Sequence, residues 1–351
     1  MKDTENLKIA IYGAGAMGTV LGALLTLGGL KGVRLITRNE KHVAGLNEKG
    51  AQIECTAEKN TLTVPVTALT PAQMTEKYDI VFLMTKQRAN KEILAFLSNY
   101  LHEDSVVCTT QNGLPEKSVA EAVGATRTYG GVASFGASFL GGGRVALTSK
   151  IDGMSMSVAG YENDEKKQAL LLSVLSFAGK ATGNDSFAIP AQNLAGARWS
   201  KLAINSAFSG LSVVTGLTFG EIAKKKKTKK IALGVLRECF KVANASGVKL
   251  EKMQGHDLQK LLGGTGFFKT AFARFALPIA MRKHKHLKSG MLRDVEEGRK
   301  CEIDYICGAV VDAGKAVGVE TPFCAKIVEL VHGIENGLYE ISYENTDFFG
   351  V

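Results

Sequence analysis

The chain has 351 residues and a formal net charge of +9, with 45% hydrophobic and 22% charged residues. This length accommodates about two domains, and this composition excludes an intrinsically disordered chain. Segments 224–230 and 282–288 carry ten positive charges, so the rest of the chain has a net charge of −1. The charge therefore indicates two local basic patches and does not favour a nucleic-acid-binding surface.

The first forty residues alternate short apolar runs with glycines. Segment 7–12 (LKIAIY) predicts a strand buried on both faces, segment 19–27 a buried helix, and segment 33–37 (VRLIT) a second strand. The 22 residues from 9 to 30 are uncharged and long enough to span a membrane. Six of them are glycine, however, and a turn follows only four apolar residues. The pattern therefore favours strand, turn and helix over a membrane-spanning helix.

The loop between the first strand and the helix has the pattern GxGxxG. It consists of Gly13, Ala14, Gly15, Ala16, Met17 and Gly18. We expect Gly13 to permit a tight turn, Gly15 to let a pyrophosphate approach the backbone, and Gly18 to let the helix pack on the strand. Free N–H groups at the start of the helix attract phosphate. The flanking strand and helix make this a predicted dinucleotide-binding loop, although the pattern alone is weak evidence.

The end of the second strand distinguishes between the two nicotinamide cofactors. NAD sites usually carry Asp or Glu there, about twenty residues after the glycines, to bind the ribose 2′-hydroxyl. This chain has Arg38 instead, with Lys41 close by. An arginine fork binds a 2′-phosphate, which a carboxylate would repel. The sequence therefore predicts NADP(H) rather than NAD(H), the alternative being that Arg38 is only an exposed surface residue.

Alternating strand and helix patterns continue to about residue 190. Further strands are predicted at 79–85, 105–110, 129–137, 143–148 and 155–159, with a helix over 89–100. Such alternation predicts a doubly wound, mainly parallel α/β sheet of the Rossmann type. Beyond Pro190 the patterns are helical, at 192–212, 231–246, 289–318 and 323–335. We predict an NADP-binding Rossmann domain over residues 1–190 and a helical substrate and catalytic domain over residues 191–351.

Two polar clusters stand out in the predicted helical domain. Lys201, Asn205 and Ser209 are spaced four residues apart, which places them on one helix face. Lysine can donate a proton when burial tunes it, and asparagine can orient a substrate, but this spacing is equally typical of an exposed helix. The second cluster comprises Ser289, which can cap a helix, and Glu302. A glutamate beside apolar isoleucines belongs either to an ion pair or to a polar site.

Six short motifs are distributed along the chain. They are IYGAGAMG at 11–18, TKQ at 85–87, QNG at 111–113, KLAIN at 201–205, GEI at 220–222, and ML, D and EIDYI within 291–306. In this order they resemble the motifs of the ketopantoate (2-dehydropantoate) reductase family, from about residue 7 to 330. The resemblance implies an N-terminal Rossmann domain, a helical C-terminal domain of the 6-phosphogluconate-dehydrogenase-like type, and a substrate bound in the cleft between them.

The resemblance also implies roles for single residues. Lys201 corresponds to the family's general acid, which protonates the carbonyl oxygen while the nicotinamide delivers hydride to the carbon. Glu302 corresponds to a glutamate that hydrogen-bonds the reacting end near the cofactor. Lys86 corresponds to a residue near the cofactor, Asn112 to one between cofactor and substrate, and Asn205 to a substrate-binding residue. The implied reaction is the NADPH-dependent reduction of 2-dehydropantoate to pantoate, in the synthesis of a coenzyme A precursor.

Three positions on the substrate side depart from the family pattern. Ser209 and Phe219 stand where the family commonly has asparagine, and Gly290 stands where it has serine, with Ser289 one position earlier. We still expect Ser209 and Ser289 to bind substrate. A lost buried hydrogen bond costs about 1–3 kcal/mol. The alternative function is therefore a related 2-oxoacid reductase or 2-hydroxyacid dehydrogenase with a different, more apolar substrate.

Other functions and settings have weaker support. The lysine run 224–230 has no interleaved aromatic residues, which disfavours nucleic-acid binding. The alternative to an enzyme is then a protein that senses NADP(H) without catalysing a reaction. Scattered histidines and six cysteines without a CxxC pair predict no metal site, and the cysteines indicate a reduced, cytoplasmic setting. We expect no membrane partner, and a homodimer is compatible with this fold class.

Overall fold

A computed structural model describes residues 4–253 and 255–351, and only the backbone of Lys283. Contacts divide the chain into two units. The first unit runs to Gln111 and resumes from Pro115 to Leu194, and the second comprises Asn112–Leu114 and Ala195–Val351. Each unit has its own buried apolar core.

The first unit is built on two sheets. Its strands are β1 (Ile9–Tyr12), β2 (Val33–Ile36), β3 (Ala51–Cys55), β4 (Asn60–Val64), β5 (Ala68–Leu69), β6 (Tyr78–Leu83), β7 (Leu101–Thr109), β8 (Thr128–Ala133), β9 (Ala137–Gly141), β10 (Arg144–Leu147), β11 (Met156–Gly160) and β12 (Ala188–Pro190). Eight of them form one sheet in the order β12-β11-β8-β7-β6-β1-β2-β5. Every pair in this sheet is parallel except β8 with β11.

This larger sheet confirms the prediction of a doubly wound, mainly parallel fold. β1 lies between β2 and β6, which is the point at which the strand order reverses. All residues of β1 and β6 are buried, as expected of apolar strands covered on both faces. Ligands of such sheets bind beyond the carboxyl ends of the strands at the reversal point. The loops after β1 and β6 are therefore in the position of a ligand site.

The second sheet corrects two strand predictions. Its order is β4-β3-β10-β9, so the strand predicted at 143–148 does not belong to the doubly wound sheet. The strand predicted at 129–137 is divided between the two sheets, ending as β8 at Ala133 and resuming as β9 at Ala137. The apolar pattern marks a strand but does not specify its partner, because strand pairing is a long-range property.

Five helices of the first unit connect and cover the strands. They are α1 (Ala16–Leu27), α2 (Glu40–Lys49), α3 (Asn90–Leu97), α4 (Glu116–Val123) and α5 (Glu165–Thr182). The apolar residues of α1 are buried from position 18 to 25, and the helix ends at Gly28, as its sequence predicts. The start of α2 is capped by Asn39, whose side chain accepts a hydrogen bond from the backbone of His42.

The second unit is helical. Its helices are α6 (Leu194–Ile204), α7 (Leu211–Thr215), α8 (Phe219–Lys224), α9 (Lys226–Ala245), α10 (Leu258–Leu262), α11 (Phe267–Ala280), α12 (Gly290–Glu296), α13 (Ala309–Ala316) and α14 (Pro322–Glu335). The lysine run ends α8 and begins α9. A π-helical turn (Asn205–Gly210) joins α6 to α7, and a second one (Asp304–Gly308) precedes α13. In the described part of the chain, no helix is both long and apolar enough to cross a membrane.

The continuous helix predicted over 289–318 is wrong. α12 ends at Glu296, where Gly298 adopts a φ of 71°. The backbone N–H of Arg299 donates to the carbonyl of Asp294, and that of Gly298 donates to the carbonyl of Val295. These two bonds form a Schellman motif, which ends the helix. The motif requires a residue that tolerates a positive φ, and Gly298 is that residue. Glu302 therefore lies beyond a break and does not continue the helix that begins after Ser289.

Candidate functional site

The glycine loop joins β1 to α1 at the carboxyl end of the larger sheet. Gly13 has a φ of 105°, and a Cβ on it would lie 2.7 Å from backbone atoms of Met84 and Thr85, so only glycine fits. A Cβ on Gly18 would lie 2.5 Å from the carbonyl oxygen of Gly13, which explains the close packing of α1. A Cβ on Gly15 would meet nothing within 4 Å. The Gly15 backbone therefore faces open space that a phosphate group can enter.

The ends of β6 and β7 are joined by buried amides beside this loop. Gln111 Nε2 donates to the carbonyl oxygen of Thr85 at 2.9 Å and to Asn90 Oδ1 at 2.6 Å. In return, Asn90 Nδ2 donates to Gln111 Oε1 at 3.0 Å. The residues on either side of this network are Lys86, which is half-buried, and Asn112, which is exposed. The paired amides therefore hold in place the backbone that carries both predicted ligand-binding residues.

Arg38 lies at the end of β2, next to the end of β1. The side chain is exposed, and its charge lowers the pKa of Tyr12 while burial, the larger effect, raises that pKa. Tyr12 ends β1, directly before Gly13. The guanidinium is thus available to solvent near the glycine loop, where it can bind an anion bidentately.

His42 anchors the helix that follows Arg38. Its Nε2 lies 3.0 Å from Thr19 Oγ1, and its Nδ1 accepts a hydrogen bond of 3.0 Å from the backbone N–H of Gly143. The ring is fully buried, and burial lowers the pKa of His42 to about 4. A neutral imidazole with its proton on Nε2 satisfies both contacts. His42 therefore connects α1, α2 and the turn before β10 around the loop that carries Arg38.

The second unit places Lys201 and Asn205 where α6 becomes a π-helical turn. Lys201, Asn205 and Ser209 are half-buried, whereas residues 206–208 between them are buried in the helical core. Single π-helical turns are rare and frequent at functional sites. The π turn widens the helix after Asn205, so that Ser209 follows Asn205 by slightly less than one turn.

The electrostatic surroundings of Lys201 favour loss of its proton. Desolvation is the main cause, and the guanidinium of Arg198 adds to it, so that the pKa of Lys201 is lowered to about 8. Arg198 is 2% exposed and lies three residues earlier on α6. An ammonium with a pKa near the working pH is suited to proton transfer.

Glu302 lies two residues before the second π turn, which packs against the first. The Sγ of Cys307 lies 3.5 Å from the carbonyl oxygen of Ser206, to which it donates. A Cβ on Gly210 would lie 3.2 Å from the same sulfur, so the two turns are in close contact. Glu302 is half-buried, and its carbonyl accepts a hydrogen bond from the backbone N–H of Tyr305. The packing of the two π turns therefore attaches the segment that follows Glu302 to the segment that carries Asn205 and Ser209.

Ser289 and Phe219 have structural contacts of their own. Ser289 is buried, and its hydroxyl accepts a hydrogen bond from the backbone N–H of Met291, which caps α12. The ring of Phe219 packs at 5.5 Å from that of Phe208, which is fully buried. Gly290 is exposed, and a Cβ on it would meet nothing within 4 Å. Position 219 therefore carries a packed aromatic ring and position 290 has open space beside it, at two positions where the resemblance leads us to expect an amide and a hydroxyl group.

The motif GEI at 220–222 has a structural explanation. Thr218 and Glu221 form a capping box at the start of α8. A Cβ on Gly220 would lie 2.6 Å from the carbonyl oxygen of Lys285, and the Gly220 N–H donates to that oxygen. The glycine therefore allows the basic segment to pack against α8.

Three buried polar residues take part in this arrangement, although none of them is among the predicted site residues. They are Asn90, Gln111 and Arg198. Gln111 lies within the QNG motif, which is a signal for its importance, but its partner Asn90 follows no pattern. Arg198 is on the same helix as Lys201, and a burial of 98% is unusual for arginine. Tertiary packing decides which polar side chains are buried, so the sequence around a residue does not reveal its burial.

Metal ligation has no candidate among residues 4–253 and 255–351, where no group of three His, Cys, Asp or Glu side chains could hold an ion. All six cysteines are free and buried.

Comparisons with known proteins agree over most of the chain. Residues 9–158 match the family described as ketopantoate reductase PanE/ApbA, and residues 193–335 match the C-terminal domain of that family. A 2-dehydropantoate 2-reductase from Pyrococcus abyssi is 28% identical over 330 residues, which cover 94% of this chain and 98% of the relative. One from Lactococcus lactis is 26% identical over 333 residues, with the same coverage of both chains.

Solved structures show the same fold. A PanE/ApbA family ketopantoate reductase from Ralstonia eutropha has a TM-score of 0.76 and 25% identity, covering 95% of this chain and 99% of its own. A complex of D-mandelate dehydrogenase with NADH has a TM-score of 0.75 and 25% identity, covering 95% of this chain and all of its own. These similarities confirm the predicted combination of a Rossmann-like N-terminal domain and a helical C-terminal domain.

Proposed function

This chain belongs to the ketopantoate reductase family of oxidoreductases, and from that premise we propose that it reduces a small 2-oxo acid with NADPH. The observation that carries the proposal is the half-buried Lys201, whose pKa is lowered to about 8 and which lies one turn before Asn205. We assign cofactor binding to residues 1–190 and substrate binding and proton transfer to residues 191–351.

The first unit fits a phosphorylated dinucleotide. The open face of Gly15 and the free N–H groups at the start of α1 are suited to the pyrophosphate, which residues 13–18 would hold. The exposed guanidinium of Arg38 is suited to a 2′-phosphate, and Lys86 and Asn112 follow the neighbouring strands. Arg38 favours NADPH, whereas the related D-mandelate dehydrogenase structure contains NADH, so Arg38 is the residue on which cofactor choice is tested.

The residues of the second unit would bind the substrate and move the proton. NADPH, when bound, supplies the hydride that adds to the carbonyl carbon. Negative charge then develops on the carbonyl oxygen, and the Lys201 ammonium stabilises this charge and donates its proton to that oxygen. Asn205, Ser209 and Ser289 are proposed to hold the substrate through hydrogen bonds. Glu302 is proposed to hydrogen-bond the reacting end and so to orient it.

We propose 2-dehydropantoate as the substrate, reduced to pantoate, because the curated relatives named above carry that activity in their names. A more apolar 2-oxo acid is the second candidate. The packed aromatic pair of Phe208 and Phe219 and the exposed Gly290 favour it, as does the similarity to D-mandelate dehydrogenase, whose named substrate carries a phenyl group. The free, buried cysteines support a reducing setting such as the cytoplasm for either reaction.

A panel of 2-oxo acids with NADPH tests the proposal. The oxidation of NADPH is followed by its absorbance with 2-dehydropantoate, phenylglyoxylate and pyruvate, and kcat/KM is compared. The highest value for 2-dehydropantoate supports the first candidate, and the highest value for phenylglyoxylate supports the second. Turnover of none of these acids by a protein that binds NADPH would argue for a non-catalytic sensor.

Lys201→Met tests the proton donor with the better substrate. Loss of a general acid costs about 10²–10⁴-fold in rate, and we expect a fall of that size in kcat with little change in the dissociation constant for NADPH. Lys230→Met, at an exposed position of α9, is the matched control and is expected to keep normal turnover. A Lys201→Met variant with near-normal kcat would exclude Lys201 as the acid.

A further inference from the structure

The segment that follows α14 packs on the helical unit. Residues 336–351, which we call the strap, include a 3₁₀ helix (Tyr343–Phe349) in which Asn345 is buried. The ring of Phe349 stacks on that of Phe323 in α14, with their centroids 6.2 Å apart. The strap lies beyond residue 335, where the match to the family's C-terminal domain ends. The mechanism proposed above uses none of its residues.

The strap supplies hydrogen bonds to the end of α7. An α-helix leaves its last four carbonyl groups without partners inside the helix. In α7, the carbonyl oxygen of Val214 accepts from Asn345 Nδ2 at 3.0 Å and from the backbone N–H of Ser342 at 3.2 Å. Asn345 Nδ2 also donates to the carbonyl oxygen of Glu340 at 2.8 Å. One buried amide therefore fixes a turn of the strap and attaches that turn to α7.

Apolar contacts hold the strap at the same place. A Cβ on Gly216, directly after α7, would lie 3.2 Å from Cγ2 of Ile341, so this side chain covers the end of the helix. The ring of Tyr339 fills the space beside Gly333 in α14. Ile341 and Tyr339 both pack against the core of the helical unit. The strap is thus anchored on both α7 and α14 without any need for charge.

The lysine run 224–230 makes a further contact with the strap, at the surface. Lys227 forms an ion pair with Asp347, and the ammonium of Lys225 lies 4.8 Å from the ring centroid of Tyr343. The side chains of Lys227 and Asp347 are 41 and 65% exposed. An exposed ion pair contributes little to stability. The attachment to α7 therefore depends on the buried Asn345 and not on this pair.

Helix α7 lies between the strap and two of the proposed substrate-binding residues. It continues directly from the π-helical turn that carries Ser209. Within α7, Ser212 Oγ accepts a hydrogen bond of 3.3 Å from the backbone N–H of Ser289. A helix of five residues is not stable by itself, so the position of α7 depends on its contacts. The strap provides those contacts at the end away from Ser209.

We propose that Asn345 is a positioning residue for substrate binding, which acts through α7 on Ser209 and Ser289. The inference rests on the proposed function, in which these two serines hold the 2-oxo acid. Without the Asn345 amide, the end of α7 loses a hydrogen bond and both serines are held less firmly. Lys201 lies on α6, before the π turn, and keeps its surroundings. Substrate binding is therefore affected more than proton transfer.

Asn345→Ala tests the proposal by steady-state kinetics. We expect the KM for the better 2-oxo acid of the panel to rise at least about fivefold, the lower end of the cost of a lost buried hydrogen bond. The fall in kcat is expected to be smaller, and the Kd for NADPH to stay unchanged. A merely structural role would instead lower the fraction of folded enzyme, which reduces kcat and leaves KM as it is.

Asp347→Asn is the matched control. It removes the exposed ion pair from the same strap and leaves the hydrogen bonds of Asn345 in place. This variant is expected to keep the wild-type KM. A rise in KM as large as that of Asn345→Ala would transfer the effect from the buried amide to the surface charge and so overturn the proposal.

Hydrogen exchange gives a readout that does not depend on turnover. The backbone amides of residues 211–216 and of Ser289 are expected to exchange at least about fivefold faster in Asn345→Ala, because local opening becomes easier. The amides of α11, which lies in the same unit, are expected to keep their wild-type rates. An equal acceleration in α11 would show a general loss of stability and would contradict the positioning role.

Ile341→Ala covers the case in which Asn345→Ala does not fold. It removes the packing on Gly216, keeps the Asn345 amide, and is expected to change KM and the exchange of α7 in the same direction. The proposal is wrong if a folded variant of either kind keeps both wild-type values. If the wild type reduces none of the 2-oxo acids but Asn345→Ala still loosens α7, the proposed function fails while the attachment of α7 by the strap is supported.

Discussion

Arg198 is buried on α6 three residues before Lys201, so that a fixed positive charge lies within one helical turn of an ammonium. Desolvation and, secondly, this charge lower the pKa of Lys201 to about 8. The unfolded chain has no such environment, and there the pKa of lysine is about 10.4. The fold therefore makes Lys201 a stronger acid than an ordinary lysine.

The first prediction concerns the pH dependence of turnover. Because the general acid must be protonated, kcat is expected to fall as the pH rises through about 8. Arg198→Met removes the neighbouring charge and is expected to move this fall to higher pH, whereas Arg198→Lys keeps a charge and is expected to stay close to the wild type. The measurement is the pH profile of kcat for the reduction. If the kcat of Arg198→Met falls at the same alkaline pH as that of the wild type, the charge of Arg198 does not contribute to the acidity of Lys201.

The second prediction concerns stability. The folded pKa of Lys201 is below the unfolded one, so the folded state disfavours the ammonium, and stability rises as the pH increases from about 8 towards 10.5. Lys201→Met removes the buried charge and is expected to raise the free energy of unfolding at pH 7 by up to about 3 kcal/mol. Urea denaturation at pH 7 and at pH values above 8 measures both effects. A Lys201→Met protein that is less stable than the wild type at pH 7 would contradict the prediction.

The third prediction concerns cofactor choice. Arg38→Ala is expected to lower kcat/KM for NADPH about 10–150-fold, the range for a lost hydrogen bond to a charged group, and to leave the value for NADH unchanged. Lys41→Ala, three residues further on, is the comparison for a general loss of positive charge. If Arg38→Ala keeps the wild-type preference between the two cofactors, Arg38 does not bind the 2′-phosphate.

The fourth prediction concerns His42 at acidic pH. The pKa of His42 is about 4 in the folded protein and 6.5 in the unfolded chain. The unfolded chain therefore takes up a proton first as the pH falls, so the stabilising effect of the neutral ring is complete above pH 6.5 and is lost as the pH falls towards 4. His42→Gln can accept from Gly143 and donate to Thr19 without titrating. We expect the wild type to lose up to about 3 kcal/mol more stability than this variant between pH 6.5 and 4. Parallel acid denaturation curves of the two proteins would refute this role.

The fifth prediction concerns the amide pair. Gln111→Leu leaves the buried amide of Asn90 without its reciprocal partner and is expected to cost about 1–3 kcal/mol of stability. Because the bond to Thr85 is also lost, the KM for NADPH is expected to rise more than kcat falls. Steady-state kinetics at saturating substrate measures this split. A stable variant with an unchanged KM would show that the pair does not position the cofactor loops.

Much of the first unit could be predicted from local patterns. Continuous apolar runs identify β1 and β6, because strands covered on both faces exclude polar residues. The position of Gly13 between a strand and a helix predicts a turn, and its φ of 105° requires glycine there. The cap at Ser289 follows from the preference of helix starts for a short hydroxyl side chain, and its oxygen accepts the Met291 N–H.

Features that depend on distant residues could not be predicted in this way. The pairing of β10 with β3 brings together residues about ninety positions apart, and no local pattern specifies a partner at that distance. The break at Gly298 went unpredicted because apolar residues on both sides of it keep a helical spacing, although Gly298 itself is the local signal.

The sequence by itself determined the residue types that the proposed chemistry needs, a lysine and an asparagine four positions apart and a glycine loop after a strand. Only the tertiary structure decided that Lys201 is desolvated beside Arg198 and that two π turns pack against each other. The physical reason is that spacing and backbone preference act over a few neighbouring residues. The pKa of a side chain depends instead on how much water and charge surround it after the whole chain has packed.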